Sequence, residues 1–416
     1  VFIALSLIAS LFLIERLKIY HKFSFWNFYA LAQLVILIIA GIGVFYGGKA
    51  ERSLSKSLAT KFLLTILVIS LVIRLYLAFS ISAQWDEPTY IDPLELTLQS
   101  NRVYYTRGAT WVLLYCGFWK LVTLFVNPFL LPYPENLLKW VDNPALFIIP
   151  RILSSIFSTL TVFMVYQIGF LVSKSYKVGL FAAFFQGITY SIAWSDACAR
   201  PESIGITFVL TSLYLILKQT KPIILFVSGA VLGLSFGFRP PYALFFIPFL
   251  GFLIYKRNIK TTLLFSLGFS LLVGFDGLLQ YFGTGLLLGK PVTYAGYMGG
   301  TLSWFIYEII EWKNVLWGTS GFGYYFFKIL WMVGSITLLS LLGWRRNKEN
   351  LLMLFAVYVY ITAFTLVPHK EFRFIAPILP MLNVWSGEGM TTINRISQLL
   401  IISIISALNV YIYLFD

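Results

Sequence analysis

Cysteine and histidine are almost missing from this chain: Cys116, Cys198, His21 and His369 are the only ones in 416 residues. At most one disulfide can form, so a cysteine-stapled fold is excluded, and neither a Cys-based nor a His-rich metal centre can be assembled. Charge is scarce too. Asp, Glu, Lys and Arg together make up 12% of the residues against 59% apolar ones, and the mean hydropathy is +0.83. So few charges cannot coat a soluble surface, whereas the apolar runs approach the roughly 20 residues that cross a bilayer. The composition therefore predicts an all-α polytopic membrane protein. Sequons of the Asn-x-Ser/Thr type are absent as well, which favours the plasma membrane of a prokaryote or archaeon over the ER membrane. The chain starts at Val1 inside an apolar run with no basic leader, which reads as having no cleavable signal peptide.

What charge there is has a pattern. The net charge is +14, from 31 Lys and Arg against 17 Asp and Glu. Spans are expected near 1–14, 26–48, 60–82, 149–173, 178–195, 203–217, 222–238, 241–255, 261–281, 322–343, 351–367, 374–389 and 397–414, a bundle of about 11 to 13 transmembrane helices. Under this count the loops carrying Lys49, Arg52, Lys174, Lys177, Lys218, Lys221, Lys256, Arg257, Arg345, Arg346 and Arg395 share one face, the cytoplasmic one by the positive-inside rule. Basic residues so placed orient spans, and nucleic acid is not an expected partner. The opposite face collects Asp86, Glu87, Asp92, Glu95, Glu135, Asp142, Asp196, Glu202, Glu308, Glu311 and Glu371. Arg16, Lys18 and Lys22 break the rule, which leaves the first span the weakest part of the scheme. Trp111–Leu131 is apolar, yet it contains Lys120 and ends at Asn127-Pro128. Counting it as a span would turn every later basic loop outward. It reads instead as an interfacial helix with Trp111, Trp119 and Lys120 at headgroup level.

Two external regions, 83–148 and 282–321, are too long to be simple connectors. The first opens on Trp85-Asp86-Glu87, with Tyr90, Asp92 and Glu95 following. A carboxylate at the membrane boundary, part-desolvated by Trp85, suits removal of a proton from a hydroxyl. The same acids, with Pro88 after them, equally suit the start of a helix. Further along come Asp196, Arg200 and Glu202, then Arg239-Pro240-Pro241, Asp276, and the stretch Pro368-His369-Lys370-Glu371-Phe372-Arg373-Phe374. Acids at one boundary and guanidinium groups at others make a cleft able to deprotonate a nucleophile and hold a phosphate, which Arg grips bidentately. A lipid-sugar transporter or flippase would also place charges near span ends. Against it stand the lack of an internal repeat, the clustering of ionisable groups on one face, and the large external loops. A non-catalytic scaffold in a glycan-assembly complex is the third reading.

His369-Lys370-Glu371-Phe372-Arg373-Phe374, followed by Pro377 and Pro380, resembles the His-Lys-Glu-x-Arg-Phe motif of glycosyltransferase family 22, the lipid-linked mannosyltransferases that build GPI anchors and asparagine-linked glycans. Asp86-Glu87, Arg239-Pro240, and Trp317-Gly318 through Tyr324-Tyr325-Phe326 resemble further family segments. Where the family has His-Pro before Asp-Glu, this chain has Gln84-Trp85; Tyr90 replaces a Gln, and Ser320 a His. The wider layout, including Pro150-Arg151 and Ala199-Arg200-Pro201-Glu202, resembles the C-type (GT-C) glycosyltransferase superfamily, with its protein O-mannosyltransferases and aminoarabinose transferases. The resemblance covers roughly residues 60–385 and implies a GT-C-like catalytic domain over 60–416 preceded by extra transmembrane segments in 1–59.

By the same resemblance, a dolichyl or polyprenyl phosphate sugar is the donor, the sugar is mannose, and the acceptor is a glycan or glycolipid hydroxyl on the external or lumenal face. Asp86 would act as base and Glu87 would orient the acceptor. His369, Lys370, Arg373 and Arg239 would hold the donor phosphate, and Trp85, Tyr90, Asp276 and Glu371 would meet the sugar or acceptor. Tyr294, Tyr297 and Trp304 would add sugar platforms. The cationic clamp would take the place of a metal, so no metal or other cofactor is expected.

Overall fold

The computed structural model describes residues 35, 36, 39, 54–81, 87–100, 109–127, 145–218, 221–256, 259–283, 318–333, 335–344 and 347–415. Among the described residues every regular element is helical. The expected spans at 1–14 and, apart from three residues, at 26–48 lie outside them. So do Trp85, Asp86, Tyr294, Tyr297, Trp304 and Trp317.

Helix α1 (Lys56–Ser80) is followed by α2 (Pro88–Ser100), α3 (Thr110–Thr123) and the long α4 (Ala145–Ser173). Then come α5 (Tyr176–Ile188), α6 (Tyr190–Ala197), α7 (Glu202–Lys218), α8 (Pro222–Phe238), α9 (Phe246–Tyr255) and α10 (Ile259–Gly283). The chain ends with α11 (Tyr324–Val333), α12 (Ser335–Gly343), α13 (Lys348–Leu366), α14 (Leu379–Thr392) and α15 (Arg395–Phe415). Lys56–Ser80, Ala145–Ser173, Ile259–Leu279 and Lys348–Leu366 are each long and apolar enough to cross a bilayer. Tyr176–Ile188 and Ser191–Ala197 qualify as a pair bent by 63°. The protein is an integral membrane protein, and each predicted apolar run within the described residues falls on helix.

Three expected spans are interrupted, each for a readable reason. The run at 241–255 starts as a 3-10 turn, Pro240–Phe245, after two consecutive prolines whose missing N–H groups cannot extend the ladder of α8. The run at 374–389 likewise starts as a 3-10 segment, Phe372–Ile378, with Pro377 inside it and Pro380 in the first turn of α14. At the third, between α5 and α6, Thr189 is extended and carbonyls leave the helical ladder. In an apolar bundle such carbonyls must find donors. Arg74 of α1 supplies them, donating from Nη1 to the Gly187 carbonyl at 2.8 Å and from Nη2 to that of Gln186 at 3.1 Å. Arg74 also pairs with Asp196 at 3.2 Å and bonds to Ser158 and Ser70. One fully buried guanidinium thus joins α1, α4, α5 and α6.

Close backbone contact sets the other side of the bundle. Gly229, Gly233 and Gly237 recur every fourth residue along α8, and a Cβ at the first two would overlap the Phe265 and Phe269 carbonyls of α10. At Gly237 it would meet Thr110 and Asp276.

Helix α3 forms within the segment expected to be interfacial. Its 14 residues span about 21 Å, too short for a crossing. Trp111, Val112, Tyr115 and Cys116 face the core, while Leu121, Leu124 and Phe125 are exposed. The expected place of Trp111 at headgroup level is corrected. Its ring is fully buried, edge-on to Tyr90 at 5.5 Å and to Tyr115 at 5.9 Å, because Tyr115 lies one turn along the same inward face. Together with Ile91, Leu94, Phe147, Ile148 and Phe238 these rings form a second apolar core that seats α2 and α3 on one end of the bundle. That end carries the candidate site.

Candidate active site

Glu87, expected to orient an acceptor, is instead fully buried in a two-pronged ion pair. Arg151 donates from Nε to Glu87 Oε1 at 2.9 Å and from Nη2 to Oε2 at 2.6 Å. The Ala199 N–H donates to Oε1 at 2.6 Å, and Arg151 Nη1 binds the Ala78 and Ile81 carbonyls at the end of α1. A carboxylate so enclosed has no face left for a substrate. What it does is fix the chain directly after Asp86 to α1, to α4 and to the turn before α7. Asp86 itself lies outside the described residues.

The 3-10 segments after α8 and α13 bring Arg239 and Arg373 together. Each guanidinium carbon lies over the Phe374 ring, at 5.6 and 5.5 Å from its centroid, and both approach the same carboxylate oxygen of Glu202, Arg239 Nη2 at 3.3 Å and Arg373 Nη1 at 4.0 Å. Arg239 Nη1 also donates to the Tyr90 hydroxyl at 2.9 Å. Tyr90 is therefore a buried support for Arg239, not an open sugar platform. Burial pushes the Arg373 guanidinium down to about 10, which leaves it cationic at neutral pH. The Arg200 carbonyl is tied by the Tyr115 hydroxyl at 2.9 Å, which holds the turn carrying Glu202 against α3.

Within the seven-residue motif the groups divide between binding one another and bracing the loop. Glu371 bonds His369 Nε2 at 2.8 Å and Arg373 Nη2 at 3.1 Å, so its charge is already met from within the motif. Lys370, expected on the phosphate, donates to the Ser320 carbonyl at 3.0 Å and that of Val367 at 2.8 Å. His369 Nδ1 lies 3.3 Å from the Gly318 carbonyl, and the Ser320 N–H donates to the Pro368 carbonyl. These bonds staple Gly318–Ser320 to the motif; Gly318 supplies the positive φ of 97° that the stapled turn needs.

Asp276 was expected to meet sugar. Its Oδ1 instead accepts from the Ala109 and Thr110 N–H groups at 3.1 and 3.0 Å and from Thr110 Oγ1 at 2.6 Å. It caps the first turn of α3 from a neighbouring helix, satisfying donors that α3 cannot. Asp276→Ala should thus cost about 1–2 kcal/mol, read as a lower unfolding temperature with new proteolytic cleavage at α3. An unchanged cleavage pattern would remove Asp276 from this role.

Sequence reasoning passed over Arg74, named Arg151 only as part of the family layout, and placed Glu202 near the cleft without giving it a role. An arginine in the middle of an apolar span is itself a signal, and Arg74 carries it. Glu202 could be placed near the cleft but not paired, since an acid at a helix start usually reads as a cap.

The fold is that of a GT-C polytopic membrane protein. ArnT from Cupriavidus metallidurans bound to undecaprenyl phosphate superposes with a TM-score of 0.56 at 13% identity, over 81% of this chain and 60% of that one. The apo oligosaccharyltransferase of Archaeoglobus fulgidus gives 0.50 at 12% identity, over 79% of this chain and 50% of that one. The chain belongs to the Alg9-like mannosyltransferase family, which matches residues 113–415. A Schizosaccharomyces pombe protein named "Probable Dol-P-Man:Man(7)GlcNAc(2)-PP-Dol alpha-1,6-mannosyltransferase" is 32% identical over 126 residues, 29% of this chain and 22% of that protein. Candida albicans "GPI mannosyltransferase 3" is 31% identical over 110 residues, 25% of this chain and 22% of that protein. The matched part therefore spans about a fifth of each curated relative.

Proposed function

We propose that this protein is a membrane glycosyltransferase that moves a sugar, mannose by family, from a dolichyl or polyprenyl phosphate to a hydroxyl of a glycan or glycolipid, on the external or lumenal face. The observation that carries the reading is the convergence of Arg239 and Arg373 at the end of the bundle where Arg151 anchors Glu87, the residue following Asp86. Family membership and the lipid phosphate named for the ArnT structure support it.

In this reading the acceptor oxygen attacks the anomeric carbon from the side opposite the phosphate. The new C–O bond forms as the bond to the phosphate oxygen breaks. The electron pair leaves with the lipid phosphate, the hydroxyl proton passes to Asp86, and the anomeric centre inverts. Negative charge grows on the departing phosphate, and fixed guanidinium groups at a desolvated site stabilise it more in the transition state than in the donor. Arg239 and Arg373 take that part. Lys370 and His369 shape the loop that presents Arg373.

The test is transfer of labelled mannose from dolichyl phosphate mannose to a lipid-linked glycan extract, by purified protein in liposomes, with EDTA in a parallel set. Transfer that survives EDTA is expected. Arg373→Ala should weaken donor binding by about 10- to 100-fold, the worth of a charge-assisted contact. Unchanged donor affinity would remove Arg373 from the phosphate site.

A further inference from the structure

Glu202 is an odd occupant for a phosphate clamp. It is the first residue of α7 and 4% exposed, yet among the described residues neither of its carboxylate oxygens accepts a hydrogen bond. The two guanidinium groups approach one oxygen at 3.3 and 4.0 Å, near enough for charge pairing but without hydrogen-bond alignment. The contrast with Glu87, gripped by two aligned bonds from Arg151, lies within the same end of the same bundle. An aligned pair is fixed. A buried pair lacking its hydrogen bonds recovers little of its desolvation cost and exchanges readily for a better partner.

We propose that Glu202 is an internal counter-ion that stands in for the phosphate, keeps Arg239 and Arg373 converged between turnovers, and competes with lipid phosphate for them. The proposal rests on the reading of this site as one that binds lipid phosphate. A phosphate offers oxygens in the geometry a guanidinium fork requires, which the off-axis carboxylate does not. It would enter a place already favourable to anions, in the first turn of α7. The competition matters most after transfer. The donor is a phosphodiester with one negative charge, whereas the released lipid phosphate is a monoester with about 1.5 to 2 at neutral pH. Without Glu202, Arg239 together with Arg373, which Glu371 pairs from the other side, would hold that product more strongly. A carboxylate ready to pair with them again lowers the barrier to its departure. Glu202 is thus a positioning residue that sets donor affinity and product release.

The experiment measures binding of undecaprenyl phosphate and dolichyl phosphate to the full chain in nanodiscs, for the wild type, Glu202→Gln and Glu202→Asp. Glu202→Gln removes the competing charge and should bind lipid phosphate about tenfold tighter, which corresponds to about 1.4 kcal/mol. Glu202→Asp keeps the charge but draws it back, and should fall between. In the transfer assay, Glu202→Gln should lower both the KM for donor and kcat, with stronger inhibition by lipid phosphate. A residue needed only for structure predicts the opposite, weaker binding. Affinity in folded Glu202→Gln equal to or below that of the wild type overturns the proposal. If that variant does not fold, Glu202→Asp decides in the same way, tighter binding supporting the proposal and equal or weaker binding overturning it. Wild-type protein that binds neither lipid phosphate overturns the lipid-phosphate reading itself, and the Glu202 role with it; wild-type binding without tightening in the variants overturns the Glu202 role alone.

Discussion

Asp86→Asn yields a folded protein that still binds the lipid donor and transfers sugar slower by a factor of about 10²–10⁴, the usual worth of a general base. The expectation comes from a division of labour between two neighbouring carboxylates. Glu87 spends both oxygens on Arg151 and the Ala199 N–H, so it is neither accessible to a hydroxyl nor free to take its proton. Asp86, one residue earlier, is the acid that remains for that task on the same anchored strand of chain. The amide of asparagine keeps the shape and loses the basic lone pair, so binding and turnover should separate. Transfer at close to the wild-type rate would remove Asp86 as base. Loss of donor binding together with transfer would assign it to the donor instead.

Arg151→Ala is expected to destabilise the protein by about 3–5 kcal/mol, the cost of leaving one member of a buried ion pair without the other. Glu87 would keep its charge in a place with no solvent, and the Ala78 and Ile81 carbonyls at the end of α1 would lose their donor. Thermal unfolding in detergent reads the loss. The double change Glu87→Leu with Arg151→Met should recover much of the stability, because it removes both charges together. It should not recover transfer, since the chain beside Asp86 would no longer be fixed. An Arg151→Ala protein that unfolds at the wild-type temperature would show the pair to be marginal, and a double variant with full activity would show the anchor to be dispensable.

Among the described residues the apolar runs were legible as helices because hydropathy acts on each run independently of its neighbours, and the Arg239-Pro240-Pro241 turn was legible too, though not its 3-10 form. The 3-10 start around Pro377 was not, since 374–389 read as one uninterrupted run. That Trp111–Leu131 would not form a full span was legible from Lys120 and the parity of the basic loops. Which way Trp111 points was not, since α3 has apolar residues on both faces and only packing chooses between them. The motif residues were legible as a cluster, but their roles were not. Lys370 and Arg373 are both cations three residues apart, and only the fold shows one donating to backbone carbonyls and the other facing Glu202. Adjacent acids pose the same difficulty. Asp86 and Glu87 have equivalent chemistry in sequence, and the buried partner that separates them, Arg151, arrives after an intervening loop and helix pair.

The Arg74–Asp196 pair imposes an order on biosynthesis. Arg74 leaves the ribosome 122 residues ahead of Asp196, roughly 6 to 24 s at ordinary elongation rates. Throughout that interval α1 holds a charge in its apolar run with no carboxylate to meet it. Its strongly apolar sequence, with a hydropathy of 2.5, offsets the few kcal/mol that a central arginine adds to membrane insertion. Among the described residues, Ser70, one turn back on the same helix, is the only bonding partner of Arg74 already made. The first helix of the described bundle therefore waits in the translocon's neighbourhood as an incomplete part, and the arrival of α6 is the event that locks it in place.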